Sequence, residues 1–316
     1  HNVPYLLQGG LGMPDREYYT SDKPEMQKLR DAYKAHVVAT MKLAQDKWPE
    51  VVSDRVMSIE TLIARAHATR VESEDVHQPV AVDVAELKTR APGIDWDAFF
   101  EGAGFAPKRV WLWQPQAIAK LAALVDSEPL AEWKDWMKFH VVDEGAPFLS
   151  KAFVDEGFAF YGKALEGTPQ LRERWKRGVD ATGDALGFAI GKLYVAKYFS
   201  PDAKAKCAAM VDDLVKAFGA RIDKLAWMSA ATKAKAKAKL LTLKVGVGYP
   251  DRWLDYSALD VKRGDAYGNA QRASMFEYRR SITKLAAPVD RGEWAMVPQL
   301  VDAVNLPLMN ALNFPA

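Results

Sequence analysis

The chain has 316 residues, 49% hydrophobic and 27% charged, which excludes a disordered polymer and gives one large or two ordinary domains the length to bury a core. Lysine and arginine total 43 against 41 acids, so no general field draws nucleic acid or an anionic membrane, and no apolar run approaches the ~20 residues needed to cross a bilayer. The single cysteine, Cys207, excludes an intrachain disulfide and a cysteine metal cluster.

His1 to Tyr5 has no basic stretch followed by an apolar one, so either no signal peptide existed or the numbering begins downstream of it. Met26, Leu29, Tyr33, Val37, Met41 and Ala44 then recur at steps of three and four, which predicts a helix that Pro24 starts. Further helical patterns run about Ser53 to Ala68, Asp83 to Arg90, Pro115 to Asp126, Leu130 to Val142 and Leu171 to Phe199. Ser200-Pro201-Asp202 opens another, with serine as cap, proline in the first turn and the acid at the positive helix end. Its expected apolar face is Cys207, Met210, Val211, Leu214, Phe218, Ile222 and Leu225. Ala91-Pro92-Gly93, Gly167-Thr168-Pro169 and Tyr249-Pro250-Asp251 mark turns between packed helices. After Leu285 helical periodicity gives way to proline-bearing extended segments, and Trp294 to Ala316 reads as two extended pieces joined by a turn.

The residue types that carry chemistry are sparse. A zinc hydrolase usually needs two histidines four apart on a helix, so that both nitrogens reach one ion. His36, His67, His77 and His140 are each separated by ten or more residues and His1 is terminal, so each reads as a surface or satisfied polar histidine. Cys207 reads as a small buried thiol on an apolar helix face, not a nucleophile. No Gly-x-Ser-x-Gly elbow and no phosphate-cradling glycine pattern appears. "TKAKAKAKL", with Lys233, Lys235, Lys237 and Lys239, reads as a solvated helix, the alternative being a basic nucleic-acid contact whose affinity falls steeply with salt. Trp111, Trp113, Trp133, Trp136, Trp175, Trp227 and Trp253 are expected to pack between helices rather than serve as stacking or sugar platforms.

Three stretches, "QGGLGMPDREYY" (Gln8 to Tyr19), "KVGVGYPDRWLDYSAL" (Lys244 to Leu259) and "DRGEWAMVPQLVDAVNLPLMNALNFPA" (Asp290 to Ala316), resemble the neprilysin-type zinc metallopeptidase family in order and rough spacing. "YVAKYFSPDAKAK" and "LAWMSAATKAKAKAKL" extend the similarity over essentially the whole chain. The resemblance implies a mainly α fold. Residues 1–285 would form the helical lobe capping a substrate chamber, and residues 286–316 a β-hairpin entering a thermolysin-like α/β catalytic lobe. It also implies a zinc-dependent endopeptidase acting on short peptides. In the family the His-Glu-x-x-His element and a later glutamate ligand follow the Phe-Pro-Ala element, so Zn2+ and the catalytic residues are expected in a C-terminal half beyond this chain. Ala316 then reads as a break, and the segment alone is expected to be inactive. The implied partners are peptide substrates and that catalytic half, with no nucleic acid and no membrane contact by this segment. The implied location is periplasmic or secreted, with any membrane anchor outside these residues.

In the family the first strand of the hairpin carries an Asn-Ala-Tyr-type motif that pairs with bound peptide. Such an edge can hold an extended substrate through main-chain hydrogen bonds while reading little of its sequence. Pro298 and Pro307 suit an edge or a turn better than a central strand. Ala303 matches the motif, whereas Asp302 stands in place of asparagine and Val304 in place of the usual tyrosine. Asp302 and Ala303 are therefore the candidate substrate-binding residues. An asparagine amide both donates and accepts where an aspartate carboxylate only accepts, so the contact at 302 departs from the family pattern. The competing reading is a non-catalytic helical binding or scaffold module that keeps the family's shell.

Overall fold

A computed structural model describes every residue except His1, Val76 and Ala286. His1, weighed above as a ligand, and Ala286, at the expected domain boundary, thus lie outside the described residues. In chain order the elements are β1 (Tyr5–Leu6), α1 (Glu17–Thr20), α2 (Pro24–Leu43), α3 (Pro49–Ala66), α4 (Arg70–Glu74), β2 (Val80–Asp83), α5 (Val84–Arg90), α6 (Trp96–Gly102), β3 (Arg109–Leu112), α7 (Pro115–Ser127), α8 (Leu130–Gly145) and α9 (Lys151–Gly157). A π-helical segment (Phe158–Leu165) follows α9, and then come α10 (Arg174–Tyr198), α11 (Pro201–Lys224), α12 (Ala230–Leu241), β4 (Lys244–Gly248), α13 (Ala266–Lys284), β5 (Val304–Leu306) and β6 (Ala311–Pro315). The fold is mainly α, as expected, with two small three-stranded sheets. The chain divides into two compact units, one of His1–Arg172, Asp265–Tyr267 and Ser281–Ala287, the other of Glu173–Gly264, Gly268–Arg280 and Pro288–Ala316.

In the first unit α2, α3 and α8 bury Tyr33, Val37, Met41, Val52, Val56 and Phe139 in one cluster. Pro24 and Pro49 occupy the first turns of α2 and α3, where proline's missing donor is harmless. Glu60 on α3 is wholly buried in this cluster and collects partners from several elements. It accepts from the Tyr19 hydroxyl at 2.5 Å, the Tyr33 hydroxyl at 3.0 Å and the Gly12 N–H at 3.2 Å, and pairs with His140 Nε2 at 2.7 Å. The "GGLGMP" loop runs so close to this network that a Cβ on Gly12 would lie 1.9 Å from the Tyr33 hydroxyl. His36 is buried between Asp143 and Glu156, at 3.0 and 3.2 Å, and His67 Nε2 meets the Gly9 carbonyl at 3.1 Å. These are satisfied polar histidines, the reading their spacing supports.

A second apolar cluster in the same unit lies on the sheet β1-β3-β2, in which β3 runs parallel to β1 and antiparallel to β2. Val82, Val110 and Leu112 of the strands meet Leu87, Trp96 and Phe100 of α5 and α6. Strands of two to four residues are too short to show a period of two, which is why the sequence reading passes over this sheet.

In the second unit the Ser200 hydroxyl accepts the Ala203 N–H at 3.1 Å and caps α11 as the sequence predicts. The expected apolar face of that helix is only partly covered. Val211 and Ile222 are buried and Cys207 is half-buried, but Met210, Leu214 and Phe218 are 59%, 59% and 64% exposed. The elements that pack most on α11 are α12 and β4. Two tryptophans expected to pack are also exposed, Trp175 at the start of α10 and Trp227 in the turn before α12, both beyond the packed helix faces. Two of the four lysines in the basic run turn to one acid, Lys233 donating to the Asp223 carbonyl and Lys237 to its carboxylate.

Candidate functional site

The sheet of the second unit places the candidate residues. Its strand order is β4-β6-β5, with β6 parallel to β4 and antiparallel to β5. Val304 faces Asn313, Asn305 faces Leu312 and Leu306 faces Ala311. The central strand is therefore β6, and among the described residues β5 has a strand neighbour on one side only. Its other side presents the row of main-chain donors and acceptors to which an extended chain can add.

The turn between the strands is built by specific residues. Pro307 starts a single 3-10 turn, and Asn310 closes it in the left-handed region at φ 46°, where asparagine is tolerated better than most side chains. The Asn310 amide donates to the Lys239 carbonyl at 2.9 Å and to the Thr242 hydroxyl at 3.0 Å, tying the turn to the end of α12. Arg291 fastens the same corner, donating to the carbonyls of Met309, Thr242 and Asn310. The two extended pieces expected over Trp294 to Ala316 thus shrink to β5 and β6, and Trp294 to Ala303 is irregular. Pro298 and Gln299 hold that irregular stretch on α10, where the residues facing them are glycines. Gln299 Nε2 donates to the Gly187 carbonyl at 3.1 Å, and a Cβ on Gly191 would lie 2.7 Å from Pro298 Cδ.

Asp302 and Ala303 immediately precede β5 and are both exposed. The Ala303 N–H donates to Asp302 Oδ1 at 2.7 Å, and the Asp302 N–H to the Leu300 carbonyl at 3.1 Å. Asp302 therefore occupies the main-chain donor beside it. From Ala303 to Ala316 there is no charged side chain, which leaves Asp302 as the only charge of the hairpin. The supports of the hairpin, Arg291, Gln299 and the glycine pair on α10, are not singled out by the sequence reading. The signal available for the pair was its four-residue spacing, which places both glycines on one helix face.

The sequence profile of Peptidase family M13 matches residues 1–250. The chain belongs to this family. Among curated proteins, M13 relatives include endothelin-converting enzyme 1 of Bos taurus, 28% identical over 335 residues that cover 100% of this chain and 44% of the relative. Endothelin-converting enzyme-like 1 of Mus musculus is 28% identical over 324 residues, covering 98% of this chain and 41% of the relative. Among solved structures, the zinc metalloprotease Zmp1 of Mycobacterium tuberculosis in complex with inhibitor matches with a TM-score of 0.93 at 36% identity, covering 99% of this chain and 48% of that one. PepO from Lactobacillus rhamnosis HN001 shares the fold, with a TM-score of 0.91 at 24% identity over 100% of this chain and 51% of that one. The chain spans less than half the length of these curated M13 relatives.

The likeness to a zinc metalloprotease raises the question of zinc, and the described residues of this chain do not fit it. Among the described residues no group of three or more His, Cys, Asp or Glu side chains could hold a metal ion. His36, His67 and His140 are committed to hydrogen bonds inside the first unit, and His77 stands exposed with no such cluster around it among the described residues.

Proposed function

We propose that the complete protein carrying this chain is a zinc-dependent endopeptidase that hydrolyses short peptides inside a closed chamber, and that this chain supplies chamber wall and a substrate-pairing edge. The observation that carries the reading is the open side of β5, beside exposed Asp302 and Ala303, in a chain of Peptidase family M13. In such enzymes zinc activates the hydrolytic water. The residues here have another task. A peptide adding alongside β5 exchanges main-chain hydrogen bonds with it, which fixes the peptide's direction and register whatever its side chains are. Ala303 offers only its backbone, and Asp302 decides whether the Ala303 N–H is free to be used.

The remaining parts of the proposal are the partners and the compartment. The zinc ligands belong to a C-terminal half of the same protein, and the peptides are met outside the cytoplasm, in the periplasm or after secretion. No helix among the described residues is long and apolar enough to cross a membrane, so the segment offers no helical anchor of its own among them. The complete protein should cleave small peptides and lose that activity to a chelator, and this chain alone should cleave none. Cleavage that persists after verified zinc removal, or a complete protein that binds peptides without cutting them, overturns the reading in favour of another mechanism or a binding module.

A further inference from the structure

The two buried apolar clusters described above both belong to the first unit, where Tyr33, Val37 and Met41 of α2 are wholly inaccessible. The second unit is built differently. Among its described residues the buried hydrophobic ones are Val195, Val211, Ile222, Ala273, Trp294 and Ala311, scattered over α10, α11, α13, β6 and the stretch before β5. A unit of this size ordinarily buries one contiguous core.

Its apolar side chains are present but face outward. Met210, Leu214 and Phe218 follow one another at steps of four on α11, which aligns them as a single ridge, and all three are exposed. A lone exposed apolar residue needs no explanation, whereas a continuous ridge is the kind of surface that a facing element takes into its groove. A polar group in the same unit also lacks a partner. Asn313, on the central strand β6, is 5% exposed, and its Oδ1 is buried without a hydrogen bond. It lines a hollow of about 180 Å³ beside Gly246 of β4, Trp294 and Ala208 of α11. That acceptor wants a donor, and a polypeptide backbone supplies donors along its length.

The kind of deficiency selects the occupant. Helix α11 carries five basic and four acidic residues, so it has no strongly basic face to draw it to anionic lipid. A core is needed whenever the unit is folded. A separate molecule, whether a partner or a second copy, supplies one only at sufficient concentration, while a segment of the same polypeptide is always present. The relatives have length to spare for it, since this chain covers 44% of bovine endothelin-converting enzyme 1 and 48% of the Zmp1 chain. Resting on the reading above that the protein continues into a C-terminal half, we propose that the second unit is the near part of a domain which that half completes, its apolar side chains covering Met210, Leu214 and Phe218. The domain then starts at Glu173, where the second unit begins, and not at residue 286.

The test is photocrosslinking in the complete protein, with p-benzoylphenylalanine in place of Phe218 and, as background, in place of Val71, which is exposed on α4 of the first unit. The expected result is an internal link from position 218 to residues beyond 316, mapped by mass spectrometry and independent of protein concentration. A link to a second copy, to lipid or only to residues within 1–316 overturns the proposal, and so does no link above background. Leu214→Asp and Phe218→Asp should each lower the thermal midpoint of the complete protein by several degrees, because a charge would enter an apolar contact, while Val71→Asp leaves it in place. Midpoints unaltered by all three would show the ridge still in water and overturn the proposal as well. Neither readout needs hydrolysis. A complete protein that links at 218 but cuts no peptide loses the peptidase reading and keeps this one, and one that cuts peptides without the link does the reverse.

Discussion

The backbone N–H of Ala303 is held by the carboxylate of the residue before it, Asp302, at 2.7 Å. An edge strand binds an incoming chain with such donors, so this contact competes with the peptide for the first amide of the edge. A carboxylate accepts more strongly than a neutral amide oxygen. Asp302→Asn should therefore free the Ala303 N–H more often, and add a donor of its own. The expected outcome in the complete protein is a lower Michaelis constant for short peptides. An unchanged or raised constant would sink the idea that residue 302 touches substrate.

The position of the edge depends on the contact of Pro298 and Gln299 with α10. A Cβ at Gly191 would sit 2.7 Å from Pro298 Cδ and 2.8 Å from Gln299 Oε1. Alanine is the better helix former by about 1 kcal/mol, but overpacking of this kind commonly costs about 1–3 kcal/mol. Gly191→Ala should push residues 297–299 away from the helix, raise the Michaelis constant of the complete enzyme, and quicken proteolytic cleavage between Trp294 and Ala303. Unaltered proteolysis and kinetics would show that the edge is set elsewhere.

Glu60 is the acceptor on which Tyr19, Tyr33 and the Gly12 loop converge. Glu60→Leu removes that acceptor and leaves the protons of two buried tyrosine hydroxyls without an acceptor, Tyr33 losing its partner and Tyr19 keeping only the Met13 N–H that its oxygen accepts. Breaking a buried network by deleting one side typically costs about 3–5 kcal/mol, and denaturant unfolding should show a loss of that order. A change within the range of surface substitutions would mean that the hydroxyls find other acceptors.

Burial, followed by the Glu60 charge, pushes the Tyr19 and Tyr33 hydroxyls well above the ordinary tyrosine range, and burial with the Asp143 charge does the same to Tyr161. The folded state holds these protons more tightly than the unfolded chain does. Their contribution to stability is thus complete below pH ~10, the ordinary tyrosine value, and is lost as pH rises above it. In an ultraviolet titration these three phenols should ionise only together with unfolding, later than the rest, while stability falls steadily through the alkaline range. Phenolate signal for all 11 tyrosines near pH ~10, with the fold intact, would contradict this.

Gln45 is one of two non-glycine residues at positive φ among those described. Left-handed backbone costs a side-chain-bearing residue roughly 1–2 kcal/mol. Gln45→Gly should raise the unfolding free energy, and with it the midpoint, by about 1–2 kcal/mol less the added freedom of glycine in the unfolded chain. A lowered midpoint would mean that the Gln45 side chain contributes packing that outweighs its strain.

The sequence by itself determined the long helices, because proline and serine at their starts and apolar residues at steps of three and four act locally. Pro24, Ser200 and the Met26 to Met41 stripe needed no partner to be read. It also carried the family through long motifs, and it placed Asp302 beside Ala303 at the head of the hairpin. Tertiary structure alone decided which apolar stripes are covered. Phe218 and Val211 belong to one helix and one predicted face, but of these two only Val211 is buried, since burial is a property of the packed pair and not of the helix. The same holds for Glu60, whose partners lie at Gly12, Tyr19, Tyr33 and His140, distant along the chain and joined only when the helices pack. The pairs Asp46–Lys138 and Arg55–Asp135 belong to that second class, because their members come from the turn after α2, from α3 and from α8, and no local pattern records that they will meet.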